Sequence, residues 1–412
     1  MRLSTLWFLL FGLNCLAQAP ASTGQAEGSP YLILISLDGF RHDYVELLQP
    51  PRLSAAIEGG VRTEGLIPCY PSKTFPNHYS IATGMYPENH GLVNNSFYDP
   101  SRGEKYTTGN REAVQDGTWY GGTPLWVNAE RAGMISASYF FVGSEADIQG
   151  VRPSYYYLYD QSVTHEQRVD QVVEWLTLPE GQRPHFITLY FPDMDDAGHF
   201  YSPAPDSLRA PLMKLDATLG NLFDRVAELD LPVNYVVVSD HGMTTILREN
   251  MLNYDALLSE IETVEVAANG SLLHLYFSDE EAKEKALDQL ENKEGHFQAY
   301  SREDFPYYRE NLGQERVGDV LIAADFGYYF VNSRAWNFFQ RSDRNSKGEH
   351  GFPPKNPDMH GIFYAFGPAF REGLTIPAFE NIHIYPLVCE ILGLDTPEEV
   401  DGRLEVLLPI LK

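Results

Sequence analysis

Three apolar runs in this chain end in side chains that could hold a cation. Asp38 closes "ILISL", Asp240 and His241 follow "YVVVS", and the acidic stretch "PDMDDAGH" ends in His199. Each Asp alone is as well explained as a helix N-cap or a turn former. Together they mean more, because the strand ends of one parallel sheet converge on one crevice, where unpaired carboxylates repel unless a cation sits between them. Asp195 and His199 stand four apart, so both can reach one ion from a single helical turn, and Gly198 permits a close backbone approach. Asp193 and Asp196 are rival carboxylates in the same stretch. His350, in "GEHGFPPKNPDMHG", is a further candidate, with His360 as its rival. Oxygen and imidazole donors without thiolate suit zinc better than Mg²⁺ or Ca²⁺, which prefer all-oxygen sites.

A hydroxyl stands near these groups in sequence order. "YPSKTFPNHYSIATGMYPENHG", residues 70 to 91, sets Thr74 between Pro71 and Pro76. Proline fixes its own φ and biases the residue before it to extended backbone, so the Lys73-Thr74 pair can be held in one aimed geometry. Thr74 reads either as a cap for the helix "HYSIATG" or as a nucleophile, and the two roles are compatible. Lys73 reads equally as a solvated base or as a phosphate contact.

The elements that must position these groups follow from periodicity. "YLILISLDGF" (31 to 40), "HFITLYFPD" (185 to 193), "VNYVVVSDHG" (233 to 242) and "HGIFYAFGP" (360 to 368) are short apolar runs of the kind that forms buried parallel strands. Between them, Val169, Val172, Val173 and Leu176 share one helical face, as do Leu208, Leu212, Leu215, Leu219, Leu222, Val226 and Leu229. The alternation predicts a doubly wound α/β fold, a mostly parallel sheet flanked by helices, with its ligands at the carboxyl ends of the strands. From about 251 to 330 the pattern loosens into charged segments, an expected insertion within a single domain running from 31 to 412.

Composition narrows the function. Arg2, the apolar run Leu6 to Leu16 and Ala17-Gln18-Ala19 read as a secretory signal peptide, residues 1 to 19, sending the protein to a periplasm or the medium. The run is too short to span a bilayer, and nothing later approaches that length. Cys69 and Cys389, the cysteines left after cleavage, cannot build a thiolate zinc site, and their spacing proves no disulfide. A formal net charge of -27 argues against nucleic-acid groove binding, so attraction for an anionic substrate has to be local. The oligomeric state is not legible.

The strings "SLDGFRHDY", "PSKTFPNHYSIATGMYPENHG", "HFITLYFPDMDDAGH", "VVVSDHGM" and "GEHGFPPKNPDMHGIF" closely resemble the catalytic domain of the nucleotide pyrophosphatase/phosphodiesterase family, within the alkaline phosphatase superfamily. The resemblance runs from about Tyr31 to the end. It implies two zinc ions, one held by Asp38, Asp240, His241 and the Thr74 hydroxyl, the other by Asp195, His199 and His350. It makes Thr74 the nucleophile, with zinc lowering its proton affinity, and Asn95 a donor to a phosphate oxygen beside the Thr74 amide. Phe75 and Tyr159 match positions that sandwich a nucleoside base, and Phe141 stands where some relatives have Trp. Relatives often read Glu-Glu-Pro-Asp before the position of Asp195, where this chain has Phe191-Pro192-Asp193-Met194-Asp195. The implied reaction is hydrolysis of nucleotides through a covalent threonine-nucleotidyl intermediate. A phosphomonoesterase, a choline-lipid phosphodiesterase and a binding protein without turnover are the rival readings, and a sulfatase lacks its Cys or Ser nucleophile.

Overall fold

The computed structural model describes residues 30–291, 293–308 and 315–412. The signal-peptide segment, residues 1 to 19, lies outside them. Eight strands form the main sheet: β1 (Tyr31–Leu37), β2 (Val61–Thr63), β3 (Ser136–Tyr139), β4 (Tyr155–Tyr157), β5 (Phe186–Phe191), β6 (Val233–Val238), β7 (Phe363–Phe366) and β8 (Leu374–Ile376). Their spatial order is β8-β2-β7-β6-β1-β5-β3-β4. Parallel pairing runs unbroken from β6 through β1, β5 and β3 to β4.

The sheet is covered on both faces, which is why its strands read as continuous apolar runs. Ile33, Ile35 and Leu37 of β1 join one buried cluster, and Leu32 and Leu34 join another. The first cluster is closed by helices α2 (His165–Thr177) and α4 (Pro205–Ala227), through Val169, Val172, Leu208, Leu212, Leu215, Leu219 and Leu222. The second is closed in part by α1 (Thr74–Thr83), through Tyr79, Ile81 and Ala82. Burying each such aliphatic side chain contributes roughly 1.5 to 3 kcal/mol, so both faces are anchored over their whole width.

The segment 360 to 368 departs from the expectation of a parallel strand. Its core, β7, is antiparallel to both β6 and β2. The chain leaves the sheet at the carboxyl end of β6 and re-enters at the same end, where Ser239 N donates to Ile362 O at 3.1 Å, so it must run back the other way. An apolar run records burial on two faces but not direction.

Between these strands, Glu265–Ala268, Leu272–Tyr276, Val320–Ala324 and Phe297–Ser301 form a separate four-stranded antiparallel sheet. Leu273, Leu275, Leu290, Val320, Ile322 and Phe330 give it a small core of its own. Among the described residues no helix is long and apolar enough to cross a membrane.

Candidate active site

Loops at the carboxyl ends of β1, β5 and β6 meet over the sheet. Asp38 follows β1, and Asp240 and His241 follow β6, all three buried. Helix α3 (Asp193–Tyr201) begins just after β5 and carries Asp195 and His199. Gly39, at φ +67°, lets the β1 turn press against α3, since a Cβ there would sit 2.7 Å from the Asp195 Cα. The strand Ser346–Glu349 lies against α3 in the same way, and a Cβ on Gly348 would meet the Gly198 carbonyl oxygen at 2.2 Å. That contact brings His350 in beside them.

Three imidazoles share one arrangement. The Nδ1 of His199 lies 2.8 Å from Gly348 O, that of His241 2.9 Å from Gly242 O, and that of His350 2.7 Å from Ser72 O. A carbonyl can only accept, so each Nδ1 carries a proton, and in the neutral ring each Nε2 presents a lone pair. The His199 Nε2 lies 3.4 Å and the His350 Nε2 3.6 Å from Asp195 Oδ1, and the His241 Nε2 lies 3.6 Å from Asp38 Oδ1 and 3.0 Å from Asp240 Oδ2. Asp38 Oδ1 and Asp195 Oδ1 are buried with no hydrogen-bond partner. Carbonyl-anchored imidazoles aimed at orphaned carboxylate oxygens are a donor set for divalent cations.

Among the described residues two groups come close enough for a shared ion, Asp195 with His241 and His350, and Asp38 with His78 and Asp240. His78 escaped the sequence reading, although it stands four after Thr74. Its Nε2 is 2.7 Å from Ser36 Oγ, while its Nδ1 faces Thr74 O at 2.9 Å and Asp240 Oδ2 at 3.3 Å. Both nitrogens are committed, which makes His78 a brace for Asp240 and α1. Tyr190 braces Asp38, donating its hydroxyl to Oδ2 at 2.6 Å.

Electrostatics register the crowding. Burial, then the charges of Asp240 and Asp195, push the Asp38 carboxyl well above its usual range, and burial raises Asp195. Asp240 moves the opposite way: burial alone would raise it, but His241 and His78 together pull it down. Burial, reinforced by His241 and Lys73, holds His350 neutral. Its ring stacks on His241 with centroids 3.6 Å apart, an arrangement that two imidazolium cations would oppose. Burial alone would lower the His241 pKa, but Asp240 outweighs it and raises it, so a cation bound there would displace a proton.

The rival residues point elsewhere. Asp193 pairs with His165 at 2.9 Å, and His360 Nε2 bonds to Pro354 O at 2.8 Å. Asp196 and His199 are both outside the two groups, but His199 faces Asp195 Oδ1 at 3.4 Å. Lys73 is buried with Nζ donating to Tyr329 OH at 3.2 Å, and burial pulls its pKa down to about 8. Cys69 and Cys389 are both buried.

Thr74 opens α1 with its Oγ1 3.3 Å from His241 Nε2. The Asn95 carboxamide oxygen accepts from Phe75 N at 2.9 Å, which fixes that side chain next to Thr74 and leaves its Nδ2 as the donor end. From Thr74 opens a cavity of about 250 Å³, lined in part by Phe75, Arg111, Phe140, Phe141, Glu145 and Tyr159. Tyr159 stands at its rim, 36% exposed, with its backbone N–H donating to Glu145 Oε1 at 2.9 Å. Phe141 lines the cavity as wall, 1% exposed and packed against His78 and Trp126. Phe140, absent from the sequence reading, stands edge-on to Tyr159 at 5.2 Å.

With this geometry in view, a family profile described as "Type I phosphodiesterase / nucleotide pyrophosphatase" matches residues 32–353. The chain belongs to that family. It is 35% identical over 390 residues to rat ectonucleotide pyrophosphatase/phosphodiesterase family member 1, covering 91% of this chain and 42% of the rat protein. It is 32% identical over 413 residues to human family member 7, covering 96% of this chain and 87% of the human one. The chain thus spans less than half of the first relative's length and most of the second's. Among solved structures, murine ectonucleotide pyrophosphatase/phosphodiesterase 5, as an inactive threonine-to-alanine variant in complex with AMP, superposes with a TM-score of 0.82 at 28% identity, covering 93% of this chain and 100% of that one. Shared membership accounts for the α/β architecture.

Proposed function

We propose that this family member is a two-zinc hydrolase of phosphodiester and pyrophosphate bonds in nucleotides and their derivatives. The observation that carries the reading is the meeting of one hydroxyl, three inward-facing Nε2 atoms and two orphaned carboxylate oxygens at the mouth of an aromatic cavity. Asp38, Asp240, His241 and Thr74 would hold one ion, and Asp195, His199 and His350 the other. Bound zinc supplies a Lewis acid that lowers the proton affinity of the hydroxyl and neutralises charge on the phosphoryl oxygens.

The chain's own residues do the rest. Phe75 and Tyr159 hold the nucleoside base so that the α-phosphorus lies beside Thr74. The Thr74 oxygen forms a bond to phosphorus as the bond to the leaving oxygen breaks in line, giving a threonine-nucleotidyl ester that water then hydrolyses. The Asn95 Nδ2 donates to the phosphoryl oxygen on which charge gathers. The name of the AMP-bound relative supports a nucleotide in this cavity. We treat residues 31 to 412 as one catalytic domain with 251 to 330 inserted, and the protein as exported to a periplasm or the medium, in keeping with the leader and the "ecto" relatives.

Products test the reaction. With ATP, chromatography should find AMP and pyrophosphate together; ADP and phosphate as primary products would make the chain a phosphomonoesterase. A preference for a nitrophenyl ester of phosphocholine over one of a nucleotide would move it to lipid substrates. Stacking makes a separate claim on specificity. Phe75→Ala and Tyr159→Ala should each raise KM for nucleotides about tenfold, roughly 1.4 kcal/mol within the usual 1 to 3 kcal/mol per stacked base. Steady-state kinetics with nitrophenyl phosphate, which has no base to hold, should show much smaller changes.

A further inference from the structure

The inserted antiparallel sheet does something that its own small core does not require. In its strand Leu272–Tyr276, Leu273 and Leu275 pack into that core, so Leu272, His274 and Tyr276 face the other way. There Leu272 joins the cluster that α1 helps to close, and His274 meets Asn94. The next residue is Asn95, whose side chain is held beside Thr74.

Hydrogen bonds run from the insertion to Asn95 in one direction. His274 Nδ1 lies 2.8 Å from Val317 O, and since a carbonyl only accepts, that nitrogen carries the proton. Burial lowers the His274 pKa to about 4, so the ring is neutral and its Nε2 accepts. Asn94 Nδ2 donates to that Nε2 at 2.8 Å, and Asn94 Oδ1 accepts from Asn95 N at 2.9 Å. The other flank of Asn95 is clamped as well. Asn269, in the turn before the strand, accepts from Ser96 N at 2.9 Å through Oδ1 and donates to Ser96 O at 2.8 Å through Nδ2. His274, Asn94 and Asn269 are all buried, so water does not compete for these bonds. From the main body, Thr108 N donates to the Asn95 carbonyl at 3.2 Å.

We infer that His274 and Asn269 are positioning residues for the proposed reaction: through them the inserted sheet aims the Asn95 Nδ2 at the phosphoryl oxygen. The inference rests on the donor role proposed for Asn95. A donor stabilises the transition state fully only when it is already oriented as charge gathers on the oxygen. Loosening Asn95 therefore lowers kcat and leaves KM nearly unchanged. A histidine that merely filled the inserted sheet would affect stability, and any effect on rate would not depend on Asn95.

The test places His274→Ala in two backgrounds, wild type and Asn95→Ala, with a nitrophenyl ester of a nucleotide as substrate and thermal melting to follow the fold. Asn95→Ala alone should lower kcat about a hundredfold, as loss of one donor to a developing oxyanion does. His274→Ala should lower kcat about tenfold in the wild type with KM within about twofold, and change kcat less than about twofold where Asn95 is already alanine. His274→Gln, whose amide oxygen can accept from Asn94, should recover part of the rate. Asn269→Ala leaves the His274 bonds in place and should show the same dependence on Asn95, so it decides the question if His274→Ala does not fold. Equal falls in both backgrounds, or no fall in the wild type, overturn the positioning role and leave the hydrolase reading standing. Ordinary kcat in Asn95→Ala removes the donor role and this inference with it, whereas wild-type protein that does not split the ester overturns the hydrolase reading itself.

Discussion

Thr74→Ala is expected to remove nearly all turnover, a loss of at least about a thousandfold in kcat, as deletion of a nucleophile commonly does. The expectation is specific because the change should leave the surroundings intact. Helix α1 is fastened at its start by Asn77, whose side chain accepts from Cys69 N at 2.7 Å and donates to Pro71 O at 2.8 Å and Lys73 O at 2.9 Å. The brace from His78 to Thr74 ends on the backbone carbonyl, which alanine keeps. Thr74→Ala should therefore still bind AMP by calorimetry with an affinity close to that of the wild type, and Thr74→Ser should recover part of the rate. Ordinary activity in Thr74→Ala would remove the covalent step and require water to attack the substrate directly.

The parts of the site that were legible in the sequence share a cause. Asp38, Asp240 and His241 could be found because a buried strand has a recognisable end, and an acid just past it projects into the crevice by the geometry of the fold. Asp195 could not be separated from Asp193 and Asp196 by spacing alone. The choice depends on which face of α3 meets the Gly39 turn and the Ser346–Glu349 strand, both distant in sequence. His78 was missed for the opposite reason. Its i+4 relation to Thr74 was visible, but its partners Ser36 and Asp240 belong to other loops. Phe140 escaped the sequence reading although it lines the same cavity as Phe141, because its neighbour Tyr159 comes from another loop. The direction of β7 is likewise a property of where the chain re-enters the sheet, which no local pattern encodes.

Elemental analysis is expected to find two zinc ions per chain, and chelation is expected to abolish activity until zinc is restored. The argument starts from the three histidines. Each donates from Nδ1 to a carbonyl, so its Nε2 is directed inward with the tautomer already chosen. Asp38 Oδ1 and Asp195 Oδ1 lie there without hydrogen-bond partners, and burying an unpaired carboxylate oxygen costs free energy that a bound cation would offset. A site built this way should also couple metal to stability. With free zinc at about a thousand times its dissociation constant, binding one ion adds roughly 4 kcal/mol to the folded state, so chelation should lower Tm by several degrees as well as stop turnover. Asp195→Ala distinguishes the two positions, because it removes the carboxylate that His199 and His350 face while Asp38 and Asp240 remain. That variant should retain about one zinc per chain. One metal or none in active, unchelated wild-type protein would sink the two-ion assignment, and two retained ions in Asp195→Ala would show that Asp195 is not a ligand.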